Sequence, residues 1–156
     1  MTLSSAANYG ADSSGLICGF QFGSDGLGLP IDAQQALDWM AAVGVSEGFV
    51  WLHFNLAHTA TEKWLRENVT MSDAFHDALR EGSRSTRIEL DGDMLVAVVN
   101  DVNYDFAFEP SDISTLWLLV TPRLVVSVRV QPLRSIDRLR DAVKRGVPLR
   151  STVDLL

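Results

Sequence analysis

Apolar residues recur along this chain with two periods, and the alternation between them sets out the elements. Gly15–Phe22 (GLICGFQF) reads as a first strand, closed by the turn residues Gly23, Ser24, Asp25 and Gly26, with a short extended piece at Leu27–Leu29. PIDAQQALDWMAAVG then changes to helical spacing. Asp32 suits its N-cap, Ala36, Leu37, Met40 and Ala41 form one face, and Gly44 is the stop. GFVWLHFNL is β-branched and aromatic without polar alternation, the pattern of a strand buried on both faces. HTATEKWLRENV predicts a helix capped by Thr59 with Glu62 as capping-box partner, and TMSDAFHDALREG a second helix ending at Gly82.

Two strand pairs follow. TRIEL and MLVAVVN meet through Asp91-Gly92, a dipeptide suited to a tight hairpin, and STLWLLV and LVVSVRV meet across Thr121-Pro122-Arg123. An acidic loop from Asp101 to Asp112 joins the pairs. RSIDRLRDAVKRG is an amphipathic helix with Ile136, Leu139 and Val143 as its buried line. The chain closes on LRSTVDLL, where Ser151 and Asp154 have capping spacing and Val153, Leu155 and Leu156 begin an apolar face. A helix opens there and the sequence stops after barely one turn. This order predicts an α/β fold: a layered sandwich with a mixed, partly antiparallel central sheet and helices packed on it. Residues 1–15, rich in Ser and Ala, read as a flexible N-terminal tail, 16–148 as the domain, and 149–156 as the opened helix.

Composition narrows the class. A chain of 156 residues, 47% hydrophobic and 21% charged, makes one globular domain with a real core. Its longest apolar stretch, LWLLVTPRLVVSVRV, is broken by Pro122 and Arg123, short of the ~20 residues a bilayer span needs. The start lacks the charged and apolar regions of a signal peptide. The single cysteine, Cys18, forms no internal disulfide, suits a reducing compartment, and reads as a small buried hydrophobe. Net charge is −7 but uneven: residues 1–122 hold 17 acids and 5 Lys/Arg, residues 123–156 hold 3 acids and 8 Lys/Arg. The acidic body argues against a nucleic-acid partner.

Chemistry-bearing residues are few. His53 shares a strand face with Trp51 and Asn55, and His58 stands at the strand-to-helix junction. Both fall at the carboxyl end of a buried strand, where a hydrolase would place a base, yet the chain has no Gly-x-Ser-x-Gly elbow, phosphate-cradling glycine loop or Cys-His pair. Packing or surface histidine is the plainer reading, and nothing nominates an enzyme. Asp73, His76 and Asp77 lie at i, i+3 and i+4, so two carboxylates and an imidazole share one helix face. Such a set could ligate a divalent cation weakly, with further ligands from elsewhere. Asp101, Asn103, Asp105 and Asp112 imitate a calcium loop, but Phe106 stands where its sharp turn needs glycine.

The stretch VWLHFNLAHTATEKWL, with Trp51, Leu52, His53 and Asn55 before Trp64 and Leu65, resembles the opening of the cytoplasmic domain of CorA-type divalent-cation transporters. It is most similar to the zinc-transporting ZntB branch. HDALREGSRSTRIEL and LWLLVTPRLVVSVRVQPLRSIDRL continue the likeness in order and spacing, so that it covers Leu16 to Leu156. Ser85-Thr86-Arg87 departs from the family's Arg-Pro-Arg/Lys.

The resemblance implies a non-catalytic funnel-wall domain on the cytoplasmic side of the inner membrane, part of a homopentamer. It takes residues 149–156 as the truncated start of a stalk helix that leads to two membrane spans. It also makes Asp77 one side of a regulatory Zn or Mg site completed by a neighbouring subunit, with Asp73 and His76 beside it, and implies no other cofactor. The alternative from the residues alone is a free-standing soluble module that binds a small molecule or metal.

Overall fold

The computed structural model describes residues 12–42, 48–82, 85–102 and 113–156. Gly44, residues 1–11, and the calcium-like loop from Asn103 to Asp112 lie outside the described residues. Seven strands make one sheet: β1 (Leu16–Phe22), β2 (Gly28–Pro30), β3 (Phe49–Asn55), β4 (Arg87–Asp91), β5 (Met94–Val102), β6 (Ile113–Val120) and β7 (Leu124–Arg129). Their order is β2-β1-β3-β7-β6-β5-β4. Neighbours run antiparallel except β3 and β7, which are parallel, so the sheet is mixed as the element order predicts.

Helices α1 (Ala33–Ala41), α2 (Thr61–Asn68) and α3 (Asp73–Glu81) cover one face. There Trp39, Leu65, Phe75 and Leu79 pack on Val50, Leu52 and Phe54 of β3 and on the like-facing residues of β5, β6 and β7. Helix α4 (Arg134–Lys144) covers the other face, where Ile136 and Val143 meet Phe20, Trp51, Leu118 and Val125. With both faces covered, all seven residues of β3 are buried, which explains its unbroken apolar run.

Local chemistry explains most element ends. Asp32 and Gln35 form a full capping box at α1, Ser72 caps α3 through the Phe75 N–H at 3.2 Å, and Gly82 ends α3 in the left-handed region at φ 64°. Four expectations are corrected. On α1 the buried residues are Ala36 and Trp39, while Ala41 is exposed at the last turn. Helix α2 begins after Ala60 with no side-chain cap, so Thr59 and Glu62 form no box. The hairpin loop is Gly92-Asp93, one residue later than expected, because Asp91 pairs with Met94 and Gly92 takes φ 64°. The terminus forms a 3-10 turn, Thr152–Leu155, without a Ser151 side-chain cap; instead Asp154 Oδ2 accepts from the Arg150 N–H at 2.9 Å.

Both ends of the described chain are tied to the body. Asp12 Oδ1 accepts from the Ser14 and Leu16 N–H groups, and the Asp12 N–H donates to the Leu16 carbonyl at 2.8 Å, which joins residues 12–15 to the start of β1. Leu149 is buried and its N–H donates to the Gly26 carbonyl at 2.8 Å.

Helix α4 is too narrow to cover its whole face. Between it, the terminal Leu155 and Leu156, and strands β4 to β6 lies an apolar groove of about 620 Å³, floored by Leu95, Ala97, Leu116 and Leu118. Beside it Ile88 is 69% and Leu90 77% exposed.

Candidate functional site

The carboxyl end of β3 carries two of the three histidines, and the structure gives each a structural task. His53 is 2% exposed and stands abreast of Cys18 on β1 and Ser127 on β7. Ser127 Oγ accepts from Trp51 Nε1–H at 2.8 Å and shares a hydrogen bond with His53 Nδ1 at 2.7 Å. Burial, reinforced by Arg129 and Arg140, lowers the His53 pKa to about 3, so the ring is neutral at physiological pH. At the strand end, Asn55 Oδ1 accepts from the Ala57 N–H and His58 Nδ1 accepts from the Ala60 N–H at 3.1 Å. Thr61 is buried and donates its hydroxyl to the Asn55 carbonyl. These bonds organise the turn into α2 in place of a Thr59 cap. His58 spends on the backbone the nitrogen a general base would need.

Helix α3 places the expected metal residues on its outer side. Its apolar side, Phe75, Ala78 and Leu79, faces the sheet, which leaves Asp73 and Asp77 exposed one turn apart and His76 half-buried next to Asp77. Among the described residues no group of three or more His, Cys, Asp or Glu side chains gathers to hold a metal. Two solvated carboxylates on one helix supply one side of a coordination shell; a hard divalent cation needs about six oxygen ligands, so other groups must complete it.

Sequence reasoning passed over two residues of this region. Ser127 and Arg129 are the polar positions of the apolar run LVVSVR, which was the available signal, and both are buried under α4. Cys18 is partly exposed at the same face, and burial pushes its thiol up to about 11 against the pull of Arg140, Lys144 and Arg129.

A family model described as CorA-like Mg2+ transporter protein matches residues 46–156. The divalent cation transporter CmaX of Pseudomonas aeruginosa is 28% identical over 138 residues, which is 86% of this chain and 40% of that protein. The structure of full-length CmaX superposes with a TM-score of 0.78 at 25% identity, covering 93% of this chain and 44% of that one. The ZntB cytoplasmic domain from Vibrio parahaemolyticus shares the fold, with a TM-score of 0.66 at 22% identity over 90% of this chain and 54% of that one. This chain spans less than half the length of the curated relatives it matches.

Proposed function

We propose, because the chain belongs to the family of CorA-like Mg2+ transporter proteins, that it is the cytoplasmic domain of a longer transporter of zinc or a related divalent cation. The observation that carries this reading is the superposition on full-length CmaX, in which nearly all of this chain matches less than half of that one. Among the described residues no helix is long and apolar enough to cross a membrane, so this reading places the ion path in the remainder of the protein. The domain then lies on the cytoplasmic side of the inner membrane as one wall of a homopentameric funnel, and it does no chemistry of its own.

Its regulatory contribution is assigned to α3. Asp77, with Asp73 and His76 beside it, offers two exposed carboxylates and an imidazole to a divalent cation, and a carboxylate of the neighbouring subunit completes the shell. A cation held between facing carboxylates cancels their repulsion, so its loss favours a different packing of the subunits. The test is Zn2+ and Mg2+ flux into liposomes that contain the longer protein. Flux whose dependence on cytoplasmic-side cation changes with Asp77→Ala supports the reading, and absence of any divalent flux overturns it.

A further inference from the structure

Strand β4 ends the sheet: among the described residues β5 is the one strand beside it, and its other edge is open. A two-residue loop closes on a hydrogen-bonded pair, so Asp91 and Met94 exchange backbone bonds. By the antiparallel alternation Glu89 and Val96 do the same, then Arg87 and Val98. The backbone N–H and C=O groups of Ile88 and Leu90 therefore point outward from the sheet, and Thr86, one step before the strand, continues the alternation. Proteins blunt such edges with lysine, proline or a covering element. Here the outward positions are Thr86, Ile88 and Leu90, all exposed. Ile88 also lines the α4 groove and stands opposite Ala97 of its floor, so β4 extends an apolar surface to the rim of the sheet.

The opposite face of β4 is charged, with Arg87, Glu89 and Asp91 in alternation. Within one copy Arg87 Nε lies 3.6 Å from Glu89 Oε1, and this buried nitrogen makes no hydrogen bond among the described residues. Two copies of β4 paired antiparallel must set outward residues against outward residues, which puts their two-fold axis on a residue. Directly opposed unlike charges stabilise such a pair and like charges weaken it. An axis at Arg87, Glu89 or Asp91 sets that residue against its own charge, and one at Leu90 sets Glu89 against Asp91. The remaining position within β4 is Ile88. There Ile88 meets Ile88 of the second copy, Thr86 meets Leu90, and Arg87 meets Glu89 twice, once in each direction.

We propose that β4 is a self-association edge, at which two copies of this chain pair β4 with β4 about a two-fold axis at Ile88 and join their sheets into one. A second copy is the occupant because the charges of β4 complement one another in this register. The contact is isologous, unlike the heterologous contacts that close a ring, and it does not rest on the transporter reading.

The test is sedimentation equilibrium of this chain over a concentration series. Expected is a reversible dimer with a dissociation constant on the order of 10–100 μM, and hydrogen exchange at the Ile88 and Leu90 amides that slows as concentration rises. Ile88→Lys sets like charges on the axis and weakens the dimer by about tenfold or more. Arg87→Glu and Glu89→Arg each weaken it alone. An equimolar mixture of these two variants restores a heterodimer, because each reversed charge then meets its opposite on the other chain. Ile88→Lys replaces an exposed side chain and serves if Arg87→Glu does not fold. A monomer at about 1 mM overturns the proposal. So does a dimer that Ile88→Lys leaves unchanged, since its contact lies on another surface.

Discussion

His53 Nδ1 lies 2.7 Å from Ser127 Oγ across the parallel pair of β3 and β7, and the same oxygen accepts from Trp51 Nε1–H. Two buried polar groups, the indole N–H and the imidazole nitrogen, therefore depend on one hydroxyl. Ser127→Ala leaves the indole N–H and the imidazole nitrogen buried without partners, at about 1–3 kcal/mol each. The expected loss of unfolding free energy is about 2–4 kcal/mol. Chemical denaturation of the variant against wild type measures it, and a loss below about 0.5 kcal/mol contradicts the arrangement.

Acid sensitivity follows from the same histidine. Its folded pKa, near 3, lies below the ordinary value of 6.5, so the unfolded chain binds the proton more readily. The stabilisation from keeping the ring neutral is complete above about pH 6.5 and is lost as pH falls from there toward 3, at up to about 1.4 kcal/mol per pH unit. His53→Gln flattens this part of the stability–pH curve. Denaturation at pH 7, 6, 5 and 4 reads the difference, and parallel curves for the two proteins would exclude the histidine as its source.

Much of the fold was legible because it is local or strongly periodic. The apolar run of β3 marks a strand covered on both faces, and Gly82 marks the end of α3 through cap chemistry alone. What escaped is what distance along the chain conceals. Ser127 stands 74 residues from His53, and no spacing rule reports the register of a parallel pair joined by a long crossover. The start of α2 escaped because Asn55 and His58, read as strand and junction residues, close the turn before it by accepting from the Ala57 and Ala60 N–H groups, so the helix begins after Ala60 and not at Thr59. On α3, helical period placed Asp73, His76 and Asp77 on one side of the helix, and among the described residues no three groups of the kind gather to hold a metal.

Gly15 tests the junction that Asn55 organises. It sits at φ 91°, its carbonyl accepts from the Asn55 N–H at 2.9 Å, and a Cβ there runs into Thr61 Oγ1. Gly15→Ala is expected to cost about 2–4 kcal/mol through strain and displacement of Thr61. Thermal unfolding measures it, and a neutral outcome contradicts the close approach.

Cys18 is expected to resist modification. With its thiol raised to about 11, the thiolate fraction at pH 8 is lower by about a hundredfold than for a cysteine at the ordinary 9.0. Iodoacetamide labelling of the native protein is slowed accordingly, and labelling in denaturant proceeds at the unhindered rate. Equal rates in both conditions would contradict the burial.

Asp77 is exposed on α3 and bears no load in the core. Asp77→Ala therefore changes the unfolding free energy by no more than about 0.5 kcal/mol. If α3 carries the proposed regulatory site, the same substitution in the longer protein is expected to shift the cation concentration at which transport changes. Transport that is unchanged at every cation concentration removes Asp77 from the regulatory site.

The most direct measurement of the central claim is to read the coding frame past the codon for Leu156. A transporter domain requires that the frame continue through a long charged helix into two apolar spans of about 20 residues each. A frame that closes without such spans would contradict a transporter domain, and would leave the family relationship as ancestry alone.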